Sequence, residues 1–334
     1  MKVDRIGGID LTKLPNVFLI GAPKSGTTSL AAYLSSHPHV FLCEPKEPNY
    51  WTKEEPKDAE QAATWSGYTQ FYASVAKHHT VRVDASTSYC WSQYAVPDIL
   101  RALPESKFIF MIRNPVALAP SLHSEEVVSG HESVSDYSEA WKLQSDREKG
   151  RSVPPTAECW QKVTYRFVAS LGTHLERLLN IVPPGQLHII LFDDFVRDPR
   201  SEYLRVLDFL HLSKIEPSTY AVHNPAKHPL FPSVSRAIMR PQGFFKPIAL
   251  FAKITLHRIG IRGLRSGLLR LFVVPGKISA PDAQTMAEMA EYFEPEIKLL
   301  EALLNRDLSH WRSVGPLPIE EPASVTHNQN GASS

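Results

Sequence analysis

A chain of 334 residues with 43% hydrophobic residues is long enough to bury a sizeable core, and a formal net charge of +1 is too balanced for bulk electrostatics to name a nucleic-acid partner. Three cysteines, Cys43, Cys90 and Cys159, stand far apart and in no metal-binding spacing, which argues against a disulfide framework and for a reducing compartment. No run reaches 18 apolar residues and Met1 to Gly8 lacks the apolar centre of a signal peptide, so neither a membrane span nor secretion is expected.

In chain order, residues 1–15 read as a lead-in ending at Pro15. Val17 to Ile20 is a short unbroken apolar run, the pattern of a strand buried on both faces of a parallel sheet. Gly21 to Gly26 is a tight polar turn, and Leu30 and Leu34 then restore apolar positions at helical spacing. Ser35-Ser36-His37-Pro38 stops that helix, and His39 to Leu42 is a short extended segment. Beyond Lys46 to Trp51, residues 53–60 read as a charged loop, and Tyr68, Phe71, Tyr72 and Val75 carry helical spacing. Thr80 to Asp84 alternates as a second strand and leaves the sheet through Ala85 to Tyr89. A short helix over Val96 to Leu103 precedes a buried strand, Lys107 to Ile112, which ends at Arg113-Asn114-Pro115. Proline suits a first helical turn, so a helix runs from Pro115 to about Ser129, and another follows from Ser135 to about Lys149.

After a break at Pro154-Pro155, Cys159 to Leu179 reads as one long amphipathic helix, with Val163, Phe167, Leu171, Leu175 and Leu178 on one face. Leu187 to Leu191 is a fourth strand, and Phe192 to Phe195 with Asp198-Pro199 opens a helix to Leu210. Strands alternating with helices imply an α/β fold with a central parallel sheet covered on both faces. From Pro217 to Pro281 there is no Asp or Glu, and residues 236–277 mix nine Lys and Arg with Phe, Leu and Ile. This 217–280 region reads as a mostly helical lid. A helix from Pro281 to about Asn305 follows, and residues 314–334 read as a disordered tail.

Strand, glycine turn and helix together make the layout of a phosphate cradle, with backbone N–H groups and a helix N-terminus facing the anion. In G-x-x-x-x-G-K-[ST] the lysine follows the second glycine. Here Gly21 and Gly26 keep that spacing, but Thr27 follows, and the lysine is Lys24, inside the turn. Pro23-Lys24-Ser25-Gly26-Thr27-Thr28-Ser29-Leu30 resembles the 5′-phosphosulfate loop of sulfotransferases that use 3′-phosphoadenosine-5′-phosphosulfate (PAPS). The resemblance implies a P-loop-like three-layer fold. It also implies that Lys24, Ser25, Gly26, Thr27, Thr28 and Ser29 hold the 5′ end of PAPS, with Lys24 at the oxygen bridging phosphorus and sulfur. Arg113 and Ser121, as Arg-x₇-Ser after a strand, resemble the family's 3′-phosphate site. By itself, arginine before Asn-Pro at a strand end is more often a turn or cap.

Lys46-Glu47-Pro48-Asn49-Tyr50-Trp51 resembles the K-E-P-x-[FY]-[FW] segment of the branch that holds heparan-type carbohydrate sulfotransferases and many bacterial homologues. There a glutamate takes the acceptor's proton, which makes Glu47 the candidate general base; otherwise Lys46-Glu47 is a solvated surface pair. Asp84-Ala85-Ser86-Thr87-Ser88-Tyr89 is similar to the family's E-[KA]-[ST]-P-x-Y stretch, but Ala85 stands where several members have a second catalytic lysine. Lys24 then serves the leaving group alone or with Lys46, and Asp84 is either part of the site or a cap. Another branch uses a histidine base, for which His123 is the nearest candidate here. Asp307-Leu308-Ser309-His310-Trp311 resembles the family's closing segment, so the resemblance runs from Val17 to Trp311, within a domain spanning 16–313.

The resemblance implies sulfuryl transfer from PAPS to a hydroxyl or amine of a small-molecule, lipid or glycan acceptor, releasing adenosine 3′,5′-bisphosphate, with no metal required. Golgi members usually carry a membrane anchor, and none is read here, so a cytoplasmic enzyme is expected. Residues 236–277 fit a surface for an anionic glycan or peripheral membrane contact, a late cofactor loop, or a solvated helical pair. The competing readings are a P-loop small-molecule kinase, which needs a lysine after Gly26, and a non-catalytic nucleotide- or glycan-binding protein.

Overall fold

The computed structural model describes residues 5–6, 9–54, 64–221, 227–229, 273–275 and 281–312. In the lead-in, β1 (Arg5–Ile6) and β2 (Ile9–Asp10) pair as a small antiparallel ribbon ahead of a 3-10 turn, Leu11–Lys13. The chain then alternates: β3 (Val17–Leu19), α1 (Thr27–Ser35), β4 (Val40–Leu42), α2 (Trp65–Gln70), β5 (Val81–Asp84), α3 (Ala95–Ala102), β6 (Lys107–Ile112) and α4 (Pro115–Val128). Two short helices, α5 (Tyr137–Lys142) and α6 (Gln144–Arg147), stand where one was expected. Next come α7 (Tyr165–Ala169), α8 (Leu171–Ile181), β7 (Leu187–Leu191), α9 (Phe192–Arg197) and α10 (Pro199–Leu210). An antiparallel pair, β8 (Lys227–Pro229) with β9 (Val273–Pro275), precedes α11 (Ala283–Leu304).

Five strands form one sheet in the order β4-β5-β3-β6-β7, with every neighbouring pair parallel. The unbroken apolar runs have the expected cause: alternate residues feed two separate cores. Phe18, Ile20, Phe108, Phe110 and Ile112 pack toward Leu122 of α4, Leu175 and Leu178 of α8, and Phe293 and Ile297 of α11. Val17, Leu19, Ile109 and Met111 pack on the other face toward Leu30 and Leu34 of α1 and Tyr203 and Leu207 of α10. The molecule is thus a three-layer α/β fold of P-loop-like type, helices covering both faces of a parallel sheet.

The strand order locates the ligand crevice. From β3 the chain moves outward to β4, whereas from β6 it moves the opposite way to β7. β3 and β6 are neighbours, so their C-terminal ends flank a topological switch point, where open sheets leave a cleft. Gly21–Gly26 leaves one of these strands and Arg113 the other.

The single long helix expected from Cys159 to Leu179 is corrected to three pieces: a 3-10 turn at Gln161–Val163, then α7 and α8. At the breaks, Thr164 Oγ1 donates to the Trp160 carbonyl at 2.8 Å and Ser170 Oγ to that of Arg166 at 2.8 Å. Such local side-chain bonds compete with the helical ladder. The freed Val163 carbonyl accepts from Gln144 Nε2 at 3.2 Å and Arg147 Nη1 at 2.9 Å, and that of Phe167 pairs with His174 Nε2 at 2.8 Å. Apart from β8 and β9, the expected 217–280 lid beyond Ala221, with most of the basic 236–277 stretch, lies outside the described residues, as do residues 314–334. Among the described residues no helix is long and apolar enough to cross a membrane.

Candidate active site

The two central strands stay zipped past the end of β3. Ile20 N–H donates to Ile109 O at 3.0 Å, Ala22 N–H to Met111 O at 2.7 Å, and Met111 N–H to Gly21 O at 2.7 Å. The turn then lifts off the sheet. Gly21 has φ +128°, and a Cβ there would sit 2.6 Å from the Thr87 carbonyl and 2.8 Å from Cys90 Sγ. Gly26 has φ +86°, and a Cβ would press on the rings of Phe195 (3.2 Å) and Phe192 (3.3 Å). Both places demand glycine for conformation and for space. Lys24, between them, takes φ +60°, uncommon for a residue with a side chain.

Side chains of Thr64, Asn114, Asp136, Asp198 and Asp282 cap the N-termini of α2, α4, α5, α10 and α11. The nine-residue α1 begins at Gly26 with no side-chain cap, as do α3, α6, α7, α8 and α9. Its first-turn N–H groups and the positive end of its dipole face the turn, and a phosphate fits this place chemically.

Arg113 closes the other side of the crevice. Its Nη1 donates to the Lys24 carbonyl at 2.7 Å, and its guanidinium lies 4.7 Å from the centre of the Phe192 ring. Asn114 caps α4 through Val116 N–H at 2.9 Å and donates to the Trp311 carbonyl at 3.3 Å. Trp311 in turn donates its indole N–H to Asp193 at 2.7 Å, so the closing segment is docked beside Arg113. Ser121 is buried on α4, and Glu125, one turn further along the same helix face, places its carboxylate 3.5 Å from Lys24 Nζ. Arg113, Lys24 and this face of α4 therefore border one space.

Glu47 arrives from the loop after β4. Its Oε1 accepts from Lys46 Nζ at 2.5 Å and its Oε2 from Thr87 Oγ1 at 3.3 Å, and its side chain is 37% exposed. Thr87 is also the residue whose carbonyl abuts Gly21, so one residue separates the Glu47 carboxylate from the root of the phosphate turn.

A sequence model described as the sulfotransferase family matches residues 15–217. The chain belongs to the sulfotransferase family. It is similar to heparan sulfate glucosamine 3-O-sulfotransferase 3B1 of Mus musculus, 26% identical over 243 residues that cover 73% of this chain and 56% of that protein. Heparan sulfate glucosamine 3-O-sulfotransferase 3A1 of Mus musculus is 26% identical over 238 residues, covering 71% of this chain and 54% of its own length. The chain thus spans about half the length of these curated relatives. In three dimensions it is similar to the crystal structure of a sulfotransferase from Alicyclobacillus acidocaldarius, with TM-score 0.64 and 21% identity over 90% of this chain and 99% of that one, a likeness of fold.

Within this sulfotransferase the loop residues divide by side. Lys24, Gly26 and Thr28 are partly exposed, whereas Ser25, Thr27 and Ser29 are buried. Ser25 Oγ bonds the Pro23 carbonyl at 3.4 Å, and Ser29 bonds the Tyr33 phenol. Asp84 is fully buried at the end of β5. Burial pushes its carboxyl up to about 6 against the pull of hydrogen bonds from Ser86, Tyr68 and Tyr89, with Glu47 adding to the rise. His123 is a core histidine: it lies edge-on to Tyr137 and Tyr165, its Nε2 pairs with the Val134 carbonyl at 2.8 Å, and burial lowers its pKa. The sequence pattern alone missed Glu125 and Phe192. Glu125 was detectable as the residue one turn beyond Ser121, and Phe192 as the first residue past an apolar strand.

Proposed function

We propose that this sulfotransferase moves a sulfuryl group from PAPS to a hydroxyl or amine of a small-molecule, lipid or glycan acceptor. The observation that supports this best is the 2.7 Å bond from Arg113 to the Lys24 carbonyl, which holds the guanidinium against the backbone of the turn that carries the second cation, Lys24. Two separated anion sites suit a nucleotide with phosphate at both its 3′ and 5′ positions. PAPS supplies the sulfuryl group when bound and departs as adenosine 3′,5′-bisphosphate.

The chain's own groups divide the work. Lys24, with the first-turn N–H groups of Gly26, Thr27 and Thr28, neutralises charge gathering on the 5′ phosphate side. Arg113 presents a charged fork to the 3′ phosphate, and Ser121 adds a hydroxyl. Phe192, beneath the guanidinium, restricts its swing. Glu47 accepts the acceptor's proton as its oxygen or nitrogen bonds to sulfur, and Lys46 lies alongside to balance the carboxylate. Thr27 occupies the place where a kinase loop carries its lysine. The heparan sulfate relatives make a glycan hydroxyl the first acceptor to try.

Calorimetric titration with adenosine 3′,5′-bisphosphate, AMP and ATP tests the reading. The bisphosphate is expected to bind most tightly, and Arg113→Ala to weaken it while leaving AMP nearly unchanged. Tight ATP binding with no preference for the bisphosphate overturns the proposal. With labelled PAPS and heparan-type oligosaccharides, phenols and sterols as acceptors, Glu47→Gln is expected to slow transfer by about 10²–10⁴-fold, the range for loss of a general base.

A further inference from the structure

Glu47 and Asn49 adopt φ +64° and +50°, conformations that residues with side chains keep only where surroundings impose them. Ser88 Oγ donates to Asn49 Oδ1 at 2.9 Å, and three further bonds trace to one carboxylate. Asp84 accepts hydrogen bonds from Ser86 Oγ at 2.6 Å, Tyr68 OH at 2.8 Å and Tyr89 OH at 3.1 Å. A hydroxyl has a single proton to give. Once that proton points at Asp84, the oxygen is left as an acceptor, and all three oxygens accept from the Glu47 loop. Ser86 Oγ takes the Asn49 N–H at 3.1 Å, Tyr89 OH the Trp51 N–H at 3.4 Å, and Tyr68 OH the Trp51 indole N–H at 3.1 Å. Asp84, Ser86, Tyr68 and Tyr89 are all fully buried, so no solvent competes for these bonds.

The same stretch of chain reaches the phosphate turn. Three residues beyond Asp84, Thr87 donates to Glu47, and Cys90 N–H donates to the Ile20 carbonyl at 2.8 Å, just below Gly21. We propose that Asp84 is the positioning residue for Glu47: its carboxylate fixes three hydroxyls as acceptors and so holds residues 47–51 against the phosphate turn. The proposal rests on Glu47 as the proton acceptor of the reaction, which Asp84 itself does not touch.

An asparagine at 84 keeps the shape but puts an N–H₂ donor in place of one carboxylate oxygen, facing either Ser86 or the two phenols that share the other oxygen. Each hydroxyl that it faces must turn its proton toward the Asn49 or Trp51 N–H group already aimed at it. In Asp84→Asn, exchange of the Asn49 amide (N–H₂ toward Ser86) or of the Trp51 amide (N–H₂ toward the phenols) is expected to quicken by about ten-fold, the effect of losing one hydrogen bond in the local opening. The Trp51 indole and the ¹³C carboxyl resonance of Glu47 are expected to move, while affinity for adenosine 3′,5′-bisphosphate stays within about two-fold, a difference well under the worth of one hydrogen bond. Ser86→Ala, a milder change, is expected to release Asn49 alone and leave the Trp51 signals in place, which keeps the test decisive where Asp84→Asn folds poorly. Unchanged Asn49 exchange in Ser86→Ala, or an unmoved Glu47 resonance in folded Asp84→Asn, overturns the proposal. Full turnover in Glu47→Gln instead overturns the general-base assignment, and the Asn49 and Trp51 readouts in Asp84→Asn and Ser86→Ala do not depend on that result, so the two failures are told apart.

Discussion

Glu125 shows how one side chain alters the part of the site that Lys24 and Arg113 make cationic. Its carboxylate faces Lys24 at 3.5 Å and is 40% exposed, so the pair is screened and weak. On the proposed function, an incoming 5′ phosphate competes with that carboxylate for the same ammonium. Glu125→Gln removes the competitor, and adenosine 3′,5′-bisphosphate is expected to bind about two- to five-fold more tightly, the span of an exposed ion pair worth up to about 1 kcal/mol. Titration calorimetry of the variant checks this; weaker binding means that Glu125 orders Lys24 for the ligand. The residues easiest to see from the sequence were those whose chemistry is local: a lysine and two glycines within one turn. Glu125 and Phe192 act only through what the fold sets beside them. Asp84 was visible as a residue but not as a hub, because Tyr68 reaches it across the chain and Trp51 only through the Tyr68 and Tyr89 hydroxyls.

Among the elements, the strands were legible because an unbroken apolar run has few other uses, and α4 because Asn114-Pro115 marks its start. The division of the 159–179 stretch was hidden, since its apolar positions keep one helical phase across Thr164 and Ser170. Thr164 and Ser170 divide it locally, and tertiary partners sustain the break: Gln144 and Arg147 bond the carbonyl left open at Val163. The packing of α8 on α11 is similarly specific. A Cβ on Gly172 would lie 2.6 Å from the Glu296 carbonyl, so Gly172→Ala must push the helices apart. A loss of about 1–3 kcal/mol is expected, as for other overpacked contacts, and urea denaturation measures it.

At the end of α4, His131 bonds Glu126 at 2.7 Å and reaches Glu158 at 3.3 Å. Burial pulls its pKa down, but the two carboxylates outweigh burial and raise it from 6.5 to about 9. A histidine raised in the folded state stabilises fully below its unfolded value and loses that contribution as pH climbs through the folded one. Stability is therefore expected to decline between pH 6.5 and about 9. His131→Gln flattens that slope in denaturation curves; an unchanged slope assigns the pH dependence elsewhere.

For the whole molecule, the site's walls come from every layer: β3 and β6 from the sheet, α1 from one face, α4 from the other, and the closing segment at Trp311. A ligand that bridges them binds only the folded chain. Adenosine 3′,5′-bisphosphate at 100 times its dissociation constant is expected to add about 2.7 kcal/mol and raise Tm accordingly. AMP at the same concentration is expected to raise it less, and thermal melts with each nucleotide make the comparison. Equal shifts from the two nucleotides contradict a separate 3′ phosphate site.

The central position of β3 also has a temporal side. Val17 pairs with Val83 and with Lys107, so the strand that leaves the ribosome early waits for both neighbours to be synthesised. Contacts so distant along the chain slow the search for the native arrangement. A nascent chain that has reached only β5 holds a phosphate turn with one wall and a bare apolar strand edge, open to chaperones or to misassociation. On the proposed function, competence to grip a nucleotide thus comes late, as a milestone of biosynthesis that Arg113 and the strand behind it deliver together.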